Sequence, residues 1–181
     1  MSAPDASHAA HLMLALEKKE LGNSAFKKGD MNTALRFYHE SILYCLAITH
    51  SKSSLSGILG SSQPQKKSPV ELEAHSLLIS IYSNQAACHT KLEKWNRVIQ
   101  CCEKALQLDE NHIKSLYRKG LALRHLKRVE SAIEVLRRGL ALSPGEASIV
   151  RELQACQDLE RAAEAKQKQE FKGFFGRGAV Y

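Results

Sequence analysis

Proline and glycine are sparse, at four and ten residues in a chain of 181. Both interrupt regular structure, so long stretches are left free to be helical, and Ala, Leu, Glu, Lys and Gln crowd most of them. No sheet is expected. Aromatic residues reach only 6%, and the basic residues are scattered rather than set in a stripe with interleaved rings, which speaks against a nucleic-acid surface. No apolar run could span a bilayer; "ILYCLAI", residues 42–48, is among the longest. The opening "MSAPDASHAA" has no basic start followed by an apolar run, so no secretory leader is expected. Nucleophile motifs, a phosphate loop and carboxylates paired at meaningful spacing are all missing, which gives no basis for an enzyme or a cofactor.

The five cysteines, Cys45, Cys88, Cys101, Cys102 and Cys156, are odd in number, form no CxxC and fall in helical patterns where a small apolar residue fits. The eight histidines show no ligand spacing. Reduced core thiols, no metal, and a cytoplasmic setting that could extend to the nucleus are the expectation.

What is present is charge and repetition. At 44% hydrophobic and 25% charged residues, the chain suits one soluble domain or a short array of repeats, expected to be monomeric. A net charge of +7 favours acidic partners. Three segments align: one from Leu16, one from Ser80 and one from Ile113, the last two in register at a spacing of 34 residues. Each reads as a helix, a short polar turn and a second helix. A small residue on the first helix (Gly22, Ala86, Gly120) lets the second approach closely. On the second helix Ala34, Val98 and Ala132 share one phase, followed by Tyr38, Cys102 and Leu136, then Ser41, Ala105 and Gly139.

Unit length and form resemble the tetratricopeptide repeat family. The resemblance implies an all-α, right-handed solenoid of about seven helices: repeats near 15–48, 69–112 and 113–143, and a capping helix over 144–172. Residues 1–10 are expected to be a flexible N-terminus and 173–181 a tail. "SPVE" (Ser68–Glu71) and "SPGE" (Ser143–Glu146) both read as capping boxes with proline at the first helical position. The second would start the cap, whose apolar stripe is Ile149, Leu153, Cys156 and Leu159. Residues 49–67, rich in Ser and Gly, read as a flexible loop, either a bare insertion or a regulatory or partner-contacting segment.

Charge placement carries the functional reading. Lys114 and Arg118 lie four apart on one helical face, where two cations repel unless they are solvated or meet an anion. First helices of such hairpins line the concave surface, and repeat alignment brings Lys19, Asn23 and Asn84 to that same groove. Two lysines, an arginine and two carboxamides give donors in excess, so the site suits an anion with several oxygens, such as a carboxylate.

"KELGN", "YSNQAA" and "KSLYR" are similar to the dicarboxylate clamp of co-chaperone tetratricopeptide domains, and the long insertion and last helix are most like the large immunophilins, although no residues remain for an isomerase domain. The resemblance implies binding of the acidic Glu-Glu-Val-Asp tail of heat-shock protein 90 or 70 by Lys19, Asn23, Asn84, Lys114 and Arg118, with Phe26 and Ala87 bordering the valine. A scaffold gripping an internal or helical segment of another partner is the alternative. Phe171, Phe174 and Phe175, set among Lys166, Lys168, Lys172 and Arg177, suit packing onto the last repeat. They also suit a second contact with chaperone, client or an acidic helix-binding protein such as calmodulin.

Overall fold

The computed structural model describes residues 3–50 and 67–176, with side chains over 6–49 and 67–172. Seven helices fill these ranges: α1 (Ala3–Lys27), α2 (Met31–His50), α3 (Pro69–Lys91), α4 (Trp95–Leu108), α5 (Ile113–His125), α6 (Val129–Leu142) and α7 (Ala147–Gly176). No strand occurs among the described residues. α1–α2, α3–α4 and α5–α6 are antiparallel hairpins, each helix packs on the next, and α7 lies against α6 and α5. The all-α repeat architecture expected from the sequence is therefore present.

The three hairpin turns share one build. In the first, the Gly29 N–H bonds to the Phe26 carbonyl and the Asp30 N–H to that of Ala25; Glu93–Lys94 and Lys127–Arg128 repeat this on Thr90 and His89, and on Arg124 and Leu123. Such paired bonds require a left-handed residue just past the helix, a place that favours glycine. Only the first turn has one: Glu93 (φ 54°) and Lys127 (φ 62°) adopt that conformation with a side chain. Lys127→Gly is thus expected to stabilise the fold by roughly 0.5–1 kcal/mol, the strain relieved less the entropy glycine loses. A chemical denaturation midpoint that falls instead would contradict this.

Close approach within each hairpin follows the small residues. A Cβ at Gly22 would stand 2.6 Å from Tyr38 Cε1, and one at Gly120 would stand 2.5 Å from Leu136 Cγ. Real Cβ atoms do not come that near. Tyr38, Cys102 and Leu136 are all at most 1% exposed, and Ala34, Val98 and Ala132 are fully buried. Cys45 and Cys88 are buried in the core around the first hairpin, Cys102 in that between α3 and α5, and Cys156 in that under α7; Cys101 is half-buried, and all five are free thiols.

Several boundaries differ from expectation. Of the flexible N-terminus expected at 1–10, residues 3–10 are helical: α1 starts at Ala3, and His8, Leu12 and Ala15 bury one face of its added turns, while residues 1 and 2 lie outside the described residues. The Ser68 capping box is present, with Ser68 Oγ accepting from the Glu71 N–H and Glu71 Oε2 from the Ser68 N–H. The Ser143 box is not. Gly145 takes φ +92° and the Glu146 N–H bonds the Ser143 carbonyl at 3.2 Å, so Ser-Pro-Gly-Glu closes a type II turn after α6. α7 accordingly begins at Ala147 rather than 144 and runs through Gly176, past the expected end at 172. Ile149 and Cys156 are fully buried and Leu153 packs beside them, but Leu159 is exposed, as is every residue from 158 to 172. Phe171 is 64% exposed. Phe174 and Phe175 lie outside the residues whose side chains are described. Of the loop expected at 49–67, Thr49 and His50 belong to α2, and 51–66 lie outside the described residues.

Candidate functional site

Hairpin stacking sets α1, α3 and α5 side by side. Asn23, Phe26, Lys27, Asn84, Ala87 and Arg118 from these helices, with Tyr38 from α2, line one cavity of about 220 Å³. Four of these six first-helix residues fall at two repeat positions about one turn apart: Asn84 and Arg118, 34 residues apart, share one, and Asn23 and Ala87 share the other. Five of the seven residues expected at the site thus meet here. The other two do not line the wall: Lys19 is half-buried and Lys114 exposed, each one turn before Asn23 and Arg118 on its helix. Neither forms an ion pair among the described residues. The close pair of cations is therefore divided, Lys114 facing water and Arg118 turned into the pocket.

A short hydrogen-bond chain fixes the floor. The Tyr38 hydroxyl donates to Asn23 Oδ1 at 2.8 Å, and Asn84 Nδ2 donates to the same oxygen at 3.1 Å. Asn23 Nδ2 then turns toward Glu20 Oε1, 3.0 Å away on the exposed rim. Arg118 Nη1 donates to Ser83 Oγ at 2.6 Å, and Ser83 is itself buried. Burial presses the Arg118 pKa below the usual guanidinium value, yet a guanidinium stays charged at neutral pH. Burial also pushes the Tyr38 phenol up to about 12.

Among the described residues no carboxylate lines the cavity, while Lys27 and Arg118 bring two cations to it. Such a site can hold an anion: amide and guanidinium donors converge, and Phe26 and Ala87 supply an apolar wall. Sequence reading missed Lys27, Tyr38 and Ser83. Lys27 sits one turn past Asn23 on the same helical face and was legible from that spacing. Tyr38 was read only as a core position.

Residues 79–112 and 113–146 each match the tetratricopeptide repeat family. The chain is 27% identical over 167 residues to tetratricopeptide repeat protein 9C of Xenopus tropicalis, covering 91% of this chain and 94% of that one. It is 30% identical over 159 residues to the peptidyl-prolyl cis-trans isomerase FKBP4 of Mus musculus, covering 88% of this chain but only 31% of that protein. Among solved structures, the C-terminal tetratricopeptide-containing domain of a Plasmodium falciparum FK506-binding protein superposes with a TM-score of 0.72 at 24% identity, over 87% of this chain and 95% of that one. The myosin chaperone UNC-45 of C. elegans, solved in complex with an Hsp90 peptide, superposes with a TM-score of 0.61 at 26% identity, over 81% of this chain and 14% of that one. Two tetratricopeptide repeats, at 79–112 and 113–146, are thus present in this chain, preceded by a hairpin of the same packing.

Proposed function

We propose that the pocket receives the free C-terminus of an acidic chaperone tail, the Glu-Glu-Val-Asp end of heat-shock protein 90 or 70, and that the chain is a binding module of co-chaperone type. The observation that carries this is the convergence of Asn23, Asn84 and Arg118 on one cavity that no carboxylate among the described residues lines. The terminal carboxylate and the last aspartate supply the missing acceptors, with Lys19 and Lys114 drawing the tail from the rim. Phe26 and Ala87 border the valine. The Hsp90 peptide bound to UNC-45 and the net charge of +7 here point the same way.

A short flexible peptide loses conformational freedom on binding, so a few charge-assisted hydrogen bonds leave an affinity near micromolar, about −8 kcal/mol. Calorimetry with a free-acid peptide ending Glu-Glu-Val-Asp is expected to give that affinity, weakening as salt rises because the rim cations are open to solvent. The same peptide amidated at its C-terminus should bind less well, since an acceptor oxygen and its charge are replaced by a donor. Equal affinity for both would replace this reading with a scaffold that holds an internal or helical segment.

A further inference from the structure

Resting on that reading, we propose that Tyr38 is a positioning residue of the pocket: its hydroxyl holds the Asn23 amide with nitrogen outward, so that the site offers a donor to an incoming carboxylate. An asparagine side chain is two-faced, and turned the other way it would present Oδ1 to the anion and repel it. Oδ1 has two acceptor sites, and both are taken, one by the Tyr38 hydroxyl and one by Asn84 Nδ2. A turned amide would set its own nitrogen against Asn84 Nδ2, donor facing donor. The outward nitrogen carries two N–H donors: Glu20 Oε1, at 3.0 Å on the exposed rim, takes one, and the other is the one offered to an anion's oxygen.

Packing does not explain the hydroxyl. Leu136 occupies the corresponding place in the third repeat and presses on Gly120 as the Tyr38 ring presses on Gly22. Cys102 does so in the second, fully buried. An apolar residue therefore suffices for the hairpin contact, and the first repeat alone carries a hydroxyl there, aimed at a pocket residue. With the phenol pushed up to about 12 by burial, it remains a donor across the physiological range.

The test is Tyr38→Phe, which keeps the ring and removes only the donor. Against the free-acid Glu-Glu-Val-Asp peptide, calorimetry should show a loss of about three- to tenfold, the scale of one neutral hydrogen bond. In an Asn23→Ala background the same substitution should cost nothing further, because the group being positioned is gone. The side-chain amide resonances of Asn23 should shift in Tyr38→Phe without peptide present, a signature that simple loosening of the core would spread over α1 and α2 together. Unchanged affinity in Tyr38→Phe, or an equal loss in both backgrounds, overturns the positioning role alone. If the wild type binds no free-acid peptide, the reading of the pocket falls, and this inference with it.

Discussion

Arg118→Ala should weaken binding of a free-acid chaperone tail by at least about tenfold, equivalent to roughly 1.4 kcal/mol, and more than either lysine substitution does. Lys114 is exposed and Lys19 stands outside the cavity wall, so water and salt already screen them. Arg118 lines the cavity, half-buried, with one donor fixed on Ser83 and no other bond from its fork to a described residue, so the rest of the fork can meet an anion. Arg118→Lys should recover little, since a point charge cannot supply the planar two-pronged contact. Stability should respond in the opposite sense. A half-buried cation with no carboxylate partner among the described residues is a cost to the unliganded fold, so thermal unfolding of Arg118→Ala should stay level or rise. Calorimetry and a melting curve on one preparation decide it. Affinity held within about twofold would remove Arg118 from the site, and a collapse of the melt would make it a structural residue instead.

How much of this was legible beforehand depended on whether periodicity or local backbone conformation decided the outcome. Asn23, Asn84 and Arg118 were placed on one groove by helical face: Asn84 and Arg118 hold one repeat position and Asn23 the position one turn on, and on stacked first helices both look into the same groove. Each lysine lies on the same helical face as Asn23 or Arg118, but one turn of helix carries it about 5 Å along the axis, out of the cavity and toward water. "SPVE" and "SPGE" differ only by valine and glycine at the third place. Val70 keeps a helical backbone and lets Ser68 cap, whereas Gly145 enters the left-handed region and a turn wins over the helix start. The early start of α1 was written in the spacing of His8, Leu12 and Ala15, but the repeat unit, taken as the ruler, begins later. Tyr38 was hidden differently: its ring satisfied the core pattern completely, and nothing in a linear pattern says where a hydroxyl points.

Gly22→Ala joins the fold to the pocket and should damage both. The new Cβ would stand 2.6 and 2.7 Å from two ring carbons of Tyr38, a rigid group with Gly22 on one side and the buried core on the other. Overpacking of this kind costs about 1–3 kcal/mol, while alanine's better helix propensity returns at most about 1 kcal/mol, so a net loss of stability is expected. Gly120→Ala meets Leu136 at 2.5 Å and should be destabilised comparably or somewhat less, because a branched aliphatic chain can change rotamer where a ring must move whole. The two variants should part at the pocket. Displacing Tyr38 moves the hydroxyl that fixes Asn23, so Gly22→Ala should bind the acidic tail several-fold more weakly even at temperatures where it is fully folded. Gly120→Ala has no pocket hydroxyl to disturb and should keep its affinity once folded. Denaturant titration sets the folded fraction and calorimetry well below the transition reads the binding. If both glycine variants lose tail affinity equally, the effect is a general slackening of the hairpins, and the link from Gly22 through Tyr38 to Asn23 is not what governs the pocket.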